Sequence, residues 1–399
     1  MSSILVGTTK SCKKMKFNKT HKNILINILI FVIVMIGLTS FYLGMVNLLK
    51  YGADCQIEGS RFLIKNTSPY QVFLENKNLF RFTRIPTHLP QEYYFLSIFV
   101  IMGDYWGYLL YGTIGALFLF IFDFKKSKNK YFLVLIFLLF ATTTYRNNLG
   151  NGQFLVLYFG IFLYFDKIIS SENYNKLKKY IICPILLLLL ASKPTIFFWI
   201  PLFYSLNKKT IKIYTITLLL QIIVLLIFTL QTKTNLTDFF NDYLNILNSH
   251  SNLNTSVNSV FSIDFSNLNG SINAILVIFN IILIFVVFIL KIKNKVNLTS
   301  DFYLFILINF SFITVYHSNY DSFLLLTPLF ISNPEKLFLK NNYFLIGLML
   351  FMIFEKVIFF MDLGNSEKYF INLITIVISI IHIINLIFIN SKRKFFVNF

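Results

Sequence analysis

The chain has 399 residues, of which 56% are hydrophobic and 13% charged, with a mean hydropathy of +0.68 and a formal charge of +19. This composition excludes a soluble multidomain enzyme and reads as a polytopic membrane protein, with a lipid bilayer and not nucleic acid as its partner. The excess of lysine then becomes a question of which membrane face the basic residues occupy.

In chain order, six lysines precede an apolar stretch at about residues 24–48, and no small-residue cleavage site follows at a fitting distance. The stretch is therefore expected to be an uncleaved anchor. A long polar loop over about 49–102 comes next, with Asp54, Glu58, Arg61, Lys65 and the turn signal Ser68-Pro69-Tyr70, then Pro86, His88 and Pro90. Apolar segments follow near 103–123, 131–145, 151–165, 180–192, 194–206 and 211–231. A second long loop over about 232–270 contains LTDFFNDYLNIL, in which Phe239, Phe240, Tyr243, Leu244 and Leu247 share a helical face, the pattern of a helix lying in the membrane interface. Further apolar segments at 271–290, 302–316, 321–332, 342–361 and 369–390 bring the expectation to about twelve transmembrane helices. The expected fold is all-α, as one integral membrane domain over 1–399 with interfacial helices in its outer loops.

The segment ILLLLLASKPTIFFWIPL, residues 185–202, decides the topology. A lysine at the centre of a spanning helix costs roughly 2.5–3.5 kcal/mol, and proline cannot continue a hydrogen-bonded turn. If Lys193-Pro194 marks a tight hairpin, 25 of the 36 basic residues fall on one face together with both chain ends. If 180–206 were one kinked helix, the split would be 17 against 18. Basic residues gather on the cytoplasmic side, so the hairpin is expected, with cytoplasmic termini. Twelve of the seventeen acidic residues then lie toward the outer face, Glu92 and Asp104 among them.

Four outer stretches carry candidate chemistry. Pro194 suits the first turn of a helix, whose free N–H groups and dipole, beside Lys193, suit an anion such as a lipid phosphate; the alternative is a lysine snorkelling from a short hairpin. YRNNLGNGQF, residues 145–154, reads as an outer turn in which Arg146, Asn147, Asn151 and Gln153 offer donors to sugar hydroxyls or phosphate oxygens, or as an ordinary Asn/Gly loop. YHSNYDSF, residues 316–323, offers His317 to a phosphate and Asp321 to a sugar hydroxyl, or is simply solvated. In GADCQIEGSR, residues 52–61, Asp54 follows the first span and suits a general base, or a helix cap. Asp54 and Glu58 fall at i and i+4 if that segment is helical, which would raise one carboxyl by mutual repulsion. No D-x-D triplet and no His/Cys cluster at metal spacing occurs, and Cys12, Cys55 and Cys183 give no disulfide framework. No metal and no cofactor is expected.

Taken in order, Asp54 at the end of the first span, S-P-Y, G-N-G-Q, A-S-K-P-T, N-T-S-V-N-S and the late H-S-N-Y-D resemble the motifs of the polytopic GT-C glycosyltransferases that use polyprenyl-phosphate sugars, in the group of the mycobacterial phosphatidylinositol-mannoside mannosyltransferase E. The resemblance covers about residues 45–330. It departs where C-Q-I-E follows the aspartate and where the late motif lacks its tryptophan-rich form.

The resemblance implies transfer of a sugar, most often mannose, from a polyprenyl-phosphate donor to a glycolipid or glycan hydroxyl on the extracytoplasmic face of the plasma membrane. It implies Asp54 as catalytic base and His317 as a partner of the donor phosphate. Lys193, Arg146, Gln153 and Asn151 are expected to complete the donor site. Glu58, Tyr70, His88, Tyr320 and Asp321 are expected as acceptor-side or supporting residues. Two rivals stand beside this reading: a flippase or transporter of lipid-linked sugars, and an outer-face polysaccharide polymerase or ligase for which Arg61, Arg81, Arg84 and Arg146 would serve.

Overall fold

The computed structural model describes residues 19–51, 57–80, 85–121, 130–153, 155–171, 174–192, 200–204 and 208–253, and a few positions between 282 and 353. Every regular element among them is helical. Helix α1, Lys19–Tyr51, carries the anchor segment expected near 24–48. The first long loop holds three helices, α2 (Glu58–Ile64), α3 (Pro69–Glu75) and α4 (Pro90–Ile101), with a 3-10 turn at Lys77–Leu79. Helices α5 (Asp104–Ile121), α6 (Lys130–Ala141), α7 (Thr143–Gly150), α8 (Leu155–Ser170) and α9 (Lys176–Leu190) follow. After α10 (Ile200–Tyr204) come α11 (Lys208–Thr232) and α12 (Leu236–Leu253), and the short α13 (Thr327–Ile331) packs on α8.

Two of these helices are long and apolar enough to cross a bilayer, over Asn23–Lys50 and Lys209–Thr232. Only 11% of the first window and 22% of the second is buried inside the protein, so most of their apolar side chains need lipid as solvent. Two bent pairs bring the number to four if each counts as one span: α4 with α5, bent by 120°, and α6 with α7, bent by 64°. The segments expected at 103–123 and 131–145 belong to these broken pairs. Those expected at 151–165 and 180–192 are α8 and α9, of 16 and 15 residues. The segments from 271 onward, and the Lys193-Pro194 hairpin, fall almost wholly outside the described residues.

The bends have local causes. Between α4 and α5, Gly103 takes φ +83°, a left-handed backbone that a side chain would resist. Between α6 and α7, Thr142 is extended and its hydroxyl accepts from the Tyr145 N–H, a cap that starts a new helix axis. In the same way, Ser68 caps α3 by accepting from the Gln71 N–H, with Pro69 in the first turn, as the Ser-Pro pair leads one to expect.

The buried apolar residues form two clusters. The larger is built from α1, α4 to α11 and α13, and is dense in aromatic rings. The smaller gathers Leu63, Tyr70, Phe73, Phe80, Tyr93, Phe228, Phe239 and Ile246 from α2, α3, α4, α11 and α12. At its centre Tyr70 is fully buried and meets four rings edge-on, those of Tyr93, Phe228, Phe239 and Tyr243, at 5.5–6.0 Å between centroids. This cluster seats the first loop against α11 and α12. Gln231 reinforces the seat, donating to the Leu63 carbonyl at 2.8 Å and to Asn66 Oδ1 at 3.0 Å while accepting from the Tyr94 hydroxyl at 2.7 Å.

The single apolar face expected for LTDFFNDYLNIL is divided in the fold. Phe239 and Ile246 are buried and Tyr243 half-buried against α3 and α11, whereas Phe240, Leu244 and Leu247 are exposed. Residues spaced by three and four turn slowly round a helix, so one broad stripe meets both the protein and its surroundings.

Candidate active site

The chemistry of the first loop converges on α4. Its opening sequence, HLPQE, places His88 four residues before Glu92, with Pro90 in the first turn. On a helix start this spacing stacks the two side chains, and His88 Nδ1 lies 3.1 Å from Glu92 Oε1. The Glu92 side chain is wholly buried and that of His88 is 14% exposed. Removing a carboxylate from water costs several kcal/mol unless polar groups replace the lost solvation.

Neither Glu92 oxygen has a hydrogen-bond partner among the described residues, and two buried tyrosines stand near it. Tyr111 of α5 and Tyr158 of α8 lie close enough to Glu92 to interact electrostatically with it. Tyr111 is in turn within electrostatic reach of Tyr145 on α7, and the Tyr158 hydroxyl shares a hydrogen bond of 2.8 Å with Ser192 Oγ. Glu92 is thus the meeting point of the first loop, the α7 segment carrying Arg146 and the residue immediately before Lys193.

The backbone bearing His88 is anchored from two sides. The Tyr70 hydroxyl donates to the His88 carbonyl at 2.6 Å, and the Tyr243 hydroxyl donates to the Thr87 carbonyl at 3.1 Å. Burial first, then the neighbouring Tyr93, Tyr243 and Glu92, hold the Tyr70 hydroxyl well above the usual phenol range. Burial followed by Glu92 pushes Tyr243 up to about 12. Both therefore remain hydrogen-bond donors at any physiological pH.

The expected site residues are distributed as follows. Glu58, 5% exposed, opens α2 and its carboxylate lies 3.4 Å from Arg61 Nε; Arg61 also pairs with Asp104. Glu58 thus faces a cation three residues on. Tyr70 and His88 stand in the cluster just described. Arg146 is half-buried on α7, and Asn151 and Gln153 lie in the short turn before α8. The stretch read as one outer turn over 145–154 is therefore helical through Gly150. Its turn is confined to Asn151–Gln153, where Gly152 takes φ +61° and the Gln153 N–H donates to the Asn148 carbonyl at 2.8 Å. Asp54, Lys193, His317, Tyr320 and Asp321 lie outside the described residues, as do Arg81 and Arg84.

Glu92 is the residue that sequence reasoning passed over, counting it only among the outer acids. The signal available for it was the i, i+4 relation to His88 across Pro90. Gly59 is a second quiet contributor: a Cβ there would lie 2.2 Å from Tyr93 Cε1, so glycine lets α2 press directly on the ring beside Glu92. The Ser60 hydroxyl fastens the same contact by donating to the Tyr93 carbonyl at 2.8 Å.

Compared with known proteins, the chain matches no family model, no curated relative and no solved structure.

Proposed function

We propose that the protein is a polytopic, membrane-embedded glycosyltransferase that moves a sugar, mannose first among the candidates, from a polyprenyl-phosphate donor to a glycolipid or glycan hydroxyl. In this reading the chain crosses the plasma membrane about twelve times and works on its extracytoplasmic face. The observation that carries it is the burial of Glu92 with His88, Tyr111 and Tyr158 where the first loop meets α5 and α8. A carboxylate and an imidazole inside so apolar a protein are costly to fold, and such groups mark functional sites more often than structural ones. The order of the short motifs along the sequence gives the reading its chemical content.

The reaction follows from that content. Asp54 takes the proton of the acceptor hydroxyl as its oxygen attacks the anomeric carbon. The bond from that carbon to the donor phosphate breaks on the opposite side, the phosphate leaves with the electron pair, and the configuration inverts. Lys193 and His317 balance the charge growing on the departing phosphate, with Arg146, Gln153 and Asn151 supporting the donor. Glu58, Tyr320 and Asp321 serve the acceptor side. A phosphate leaves without much protonation, so one base suffices and neither metal nor cofactor is called upon.

The test is transfer from radiolabelled polyprenyl-phosphate mannose and polyprenyl-phosphate arabinose in membranes containing the protein. Wild type should transfer one of them, and Asp54→Asn should insert normally yet lose about 10²–10⁴ in rate, the usual contribution of a positioned general base. Retained transfer would remove Asp54 from the mechanism. Failure of wild type with every monophosphate donor would overturn the transferase reading.

The same buried Glu92 favours one other reading, an ion-coupled carrier of lipid-linked sugars, in which a carboxylate binds the coupling ion. Sugar-lipid flux across proteoliposomes without any covalent transfer would select it.

A further inference from the structure

Helices α9 and α11 start side by side, at the end of α11 away from Gln231 and the first loop it seats. Both start with cations. Lys176, Lys178 and Lys179 open α9, and Lys208, Lys209 and Lys212 open α11, with no acid in either first turn. A helix start is the positive end of its dipole, and like charges three or four residues apart repel, so each helix carries cations where its own backbone disfavours them. The fold adds to this by joining the two starts, with Lys212 Nζ 5.1 Å from the centre of the Tyr180 ring. Lys179 is engaged by the fold itself, donating to the Ile169 and Ser171 carbonyls at the end of α8. Lys176, Lys178 and Lys212 are exposed, and none of the three has an ion pair among the described residues.

An apolar path leads from these lysines along the helices. On α9, Leu177, Ile181 and Ile185 are 68%, 53% and 47% exposed at spacings of four, and so form one stripe. Helices α9 and α11 run in the same direction, with the Thr217 hydroxyl donating to the Pro184 carbonyl at 3.4 Å. The stripe ends in a groove of about 240 Å³ between Ile185, Leu188 and Leu189 of α9 and Val224 and Ile227 of α11, with α4 as its third wall. At about 1.5 Å of rise per residue, Ile185 lies about 10 Å beyond Lys178 and Val224 about 18 Å beyond Lys212. One leaflet contributes about 15 Å of hydrocarbon, half of a core of about 30 Å. The groove therefore opens at the depth where a lipid chain ends when its headgroup is level with the lysines.

Charge selects the headgroup and length selects the chain. A free anion would match the lysines and leave the stripe and groove unmatched, and a neutral lipid would do the reverse. We infer that an anionic phospholipid binds along the seam of α9 and α11, its phosphate held by Lys176, Lys178 and Lys212 and one acyl chain lying over Leu177, Ile181 and Ile185 into the groove. This lipid site uses none of the residues of the proposed transferase site and stands independently of that reading.

The experiment places the full chain in nanodiscs of dioleoyl phosphatidylcholine doped with phosphatidylglycerol or phosphatidylcholine that carries a spin label near its chain end. Electron paramagnetic resonance then reads the motionally restricted fraction of each label. Wild type should restrict the phosphatidylglycerol label in preference to the phosphatidylcholine label. Lys178→Gln with Lys212→Gln should weaken that preference about ten- to thirtyfold, the attraction of two lysines for an anionic headgroup. Lys65→Gln with Lys77→Gln removes the same charge from two exposed positions of the first loop and should keep the preference. Val224→Trp, which fills the groove, should release the chain-end label. Glutamine suits a helix about as well as lysine does, so the substituted proteins should keep their thermal transitions. Should the first pair fail to fold, Lys176→Gln with Lys178→Gln repeats the measurement.

Equal restriction of the two lipids by wild type, an unchanged preference in Lys178→Gln with Lys212→Gln, or an equal loss in the first-loop pair would each overturn the proposal. So would displacement of the label by inorganic phosphate at matched ionic strength, which would mark a simple anion site, or a chain-end label still restricted in Val224→Trp.

Discussion

Tyr70 offers the most direct test of how the site is held. Its hydroxyl donates 2.6 Å to the His88 carbonyl, and its ring is fully buried against four others. Tyr70→Phe removes the hydroxyl alone. The loss is one hydrogen bond together with a buried carbonyl left without its donor, about 1–3 kcal/mol. At roughly 2–4 °C per kcal/mol for a domain of 150–250 residues, and less for this longer chain, the thermal transition in detergent should fall by about 2–5 °C. Tyr70→Ala removes the ring as well. An aromatic truncation costs about 3–5 kcal/mol, and the edge-on pairs add to this, so the variant should lose its transition at ordinary temperatures or fail to accumulate. Fluorescence-detected size exclusion after graded heating gives the midpoint without requiring reversibility, which a protein of this kind does not offer. A Tyr70→Phe midpoint within 1 °C of wild type, or a Tyr70→Ala no worse than Tyr70→Phe, would refute the claim that this side chain joins the first loop to α11 and α12.

Two further outcomes follow from the same packing. Gly59→Ala puts a methyl 2.2 Å from the Tyr93 ring, which must move; overpacking of this kind costs about 1–3 kcal/mol, whereas Ala at Gly347, which meets nothing within 4 Å among the described residues, should be silent in the same heating assay. Asp242, on α12, is pushed up from the ordinary 3.8 by burial, then by Asp238 and Glu75. The folded protein therefore holds that proton more tightly than the unfolded chain, so the contribution of Asp242 to stability is present at low pH and is lost as pH rises through its raised value. Asp242→Asn should accordingly gain stability relative to wild type from about pH 4 upward, and parallel pH–stability curves for the two proteins would refute that assignment.

Much of this architecture is legible in the residues. The apolar run beginning at Asn23 has a single reading at its length, as does that of Lys209–Thr232, because a bilayer-length stretch of such composition finds no other solvent. Ser68-Pro69 starts a helix in any context, since the cap and the ring act within four residues. The helix over 236–253 follows from local periodicity in the same way. The first loop, expected to hold interfacial helices but with no bounds assigned to them, contains three, because their short apolar faces acquire meaning only against the partners that bury them.

What the amino-acid order determined alone was the class of molecule, its longest apolar helices and the inventory of polar groups available for chemistry, all of which depend on neighbours close in sequence. The tertiary structure decided which of those groups count. Glu92 and Glu58 look like any other acids in the first loop, yet both are buried, one beside an imidazole and the other beside the Arg61 guanidinium. Phe239 and Phe240 are adjacent and chemically identical, yet one closes on Tyr70 and the other is exposed. Burial depends on contacts between residues far apart in the chain, and the energy of a charge is set by what surrounds it, so neither can be read from a residue and its immediate neighbours.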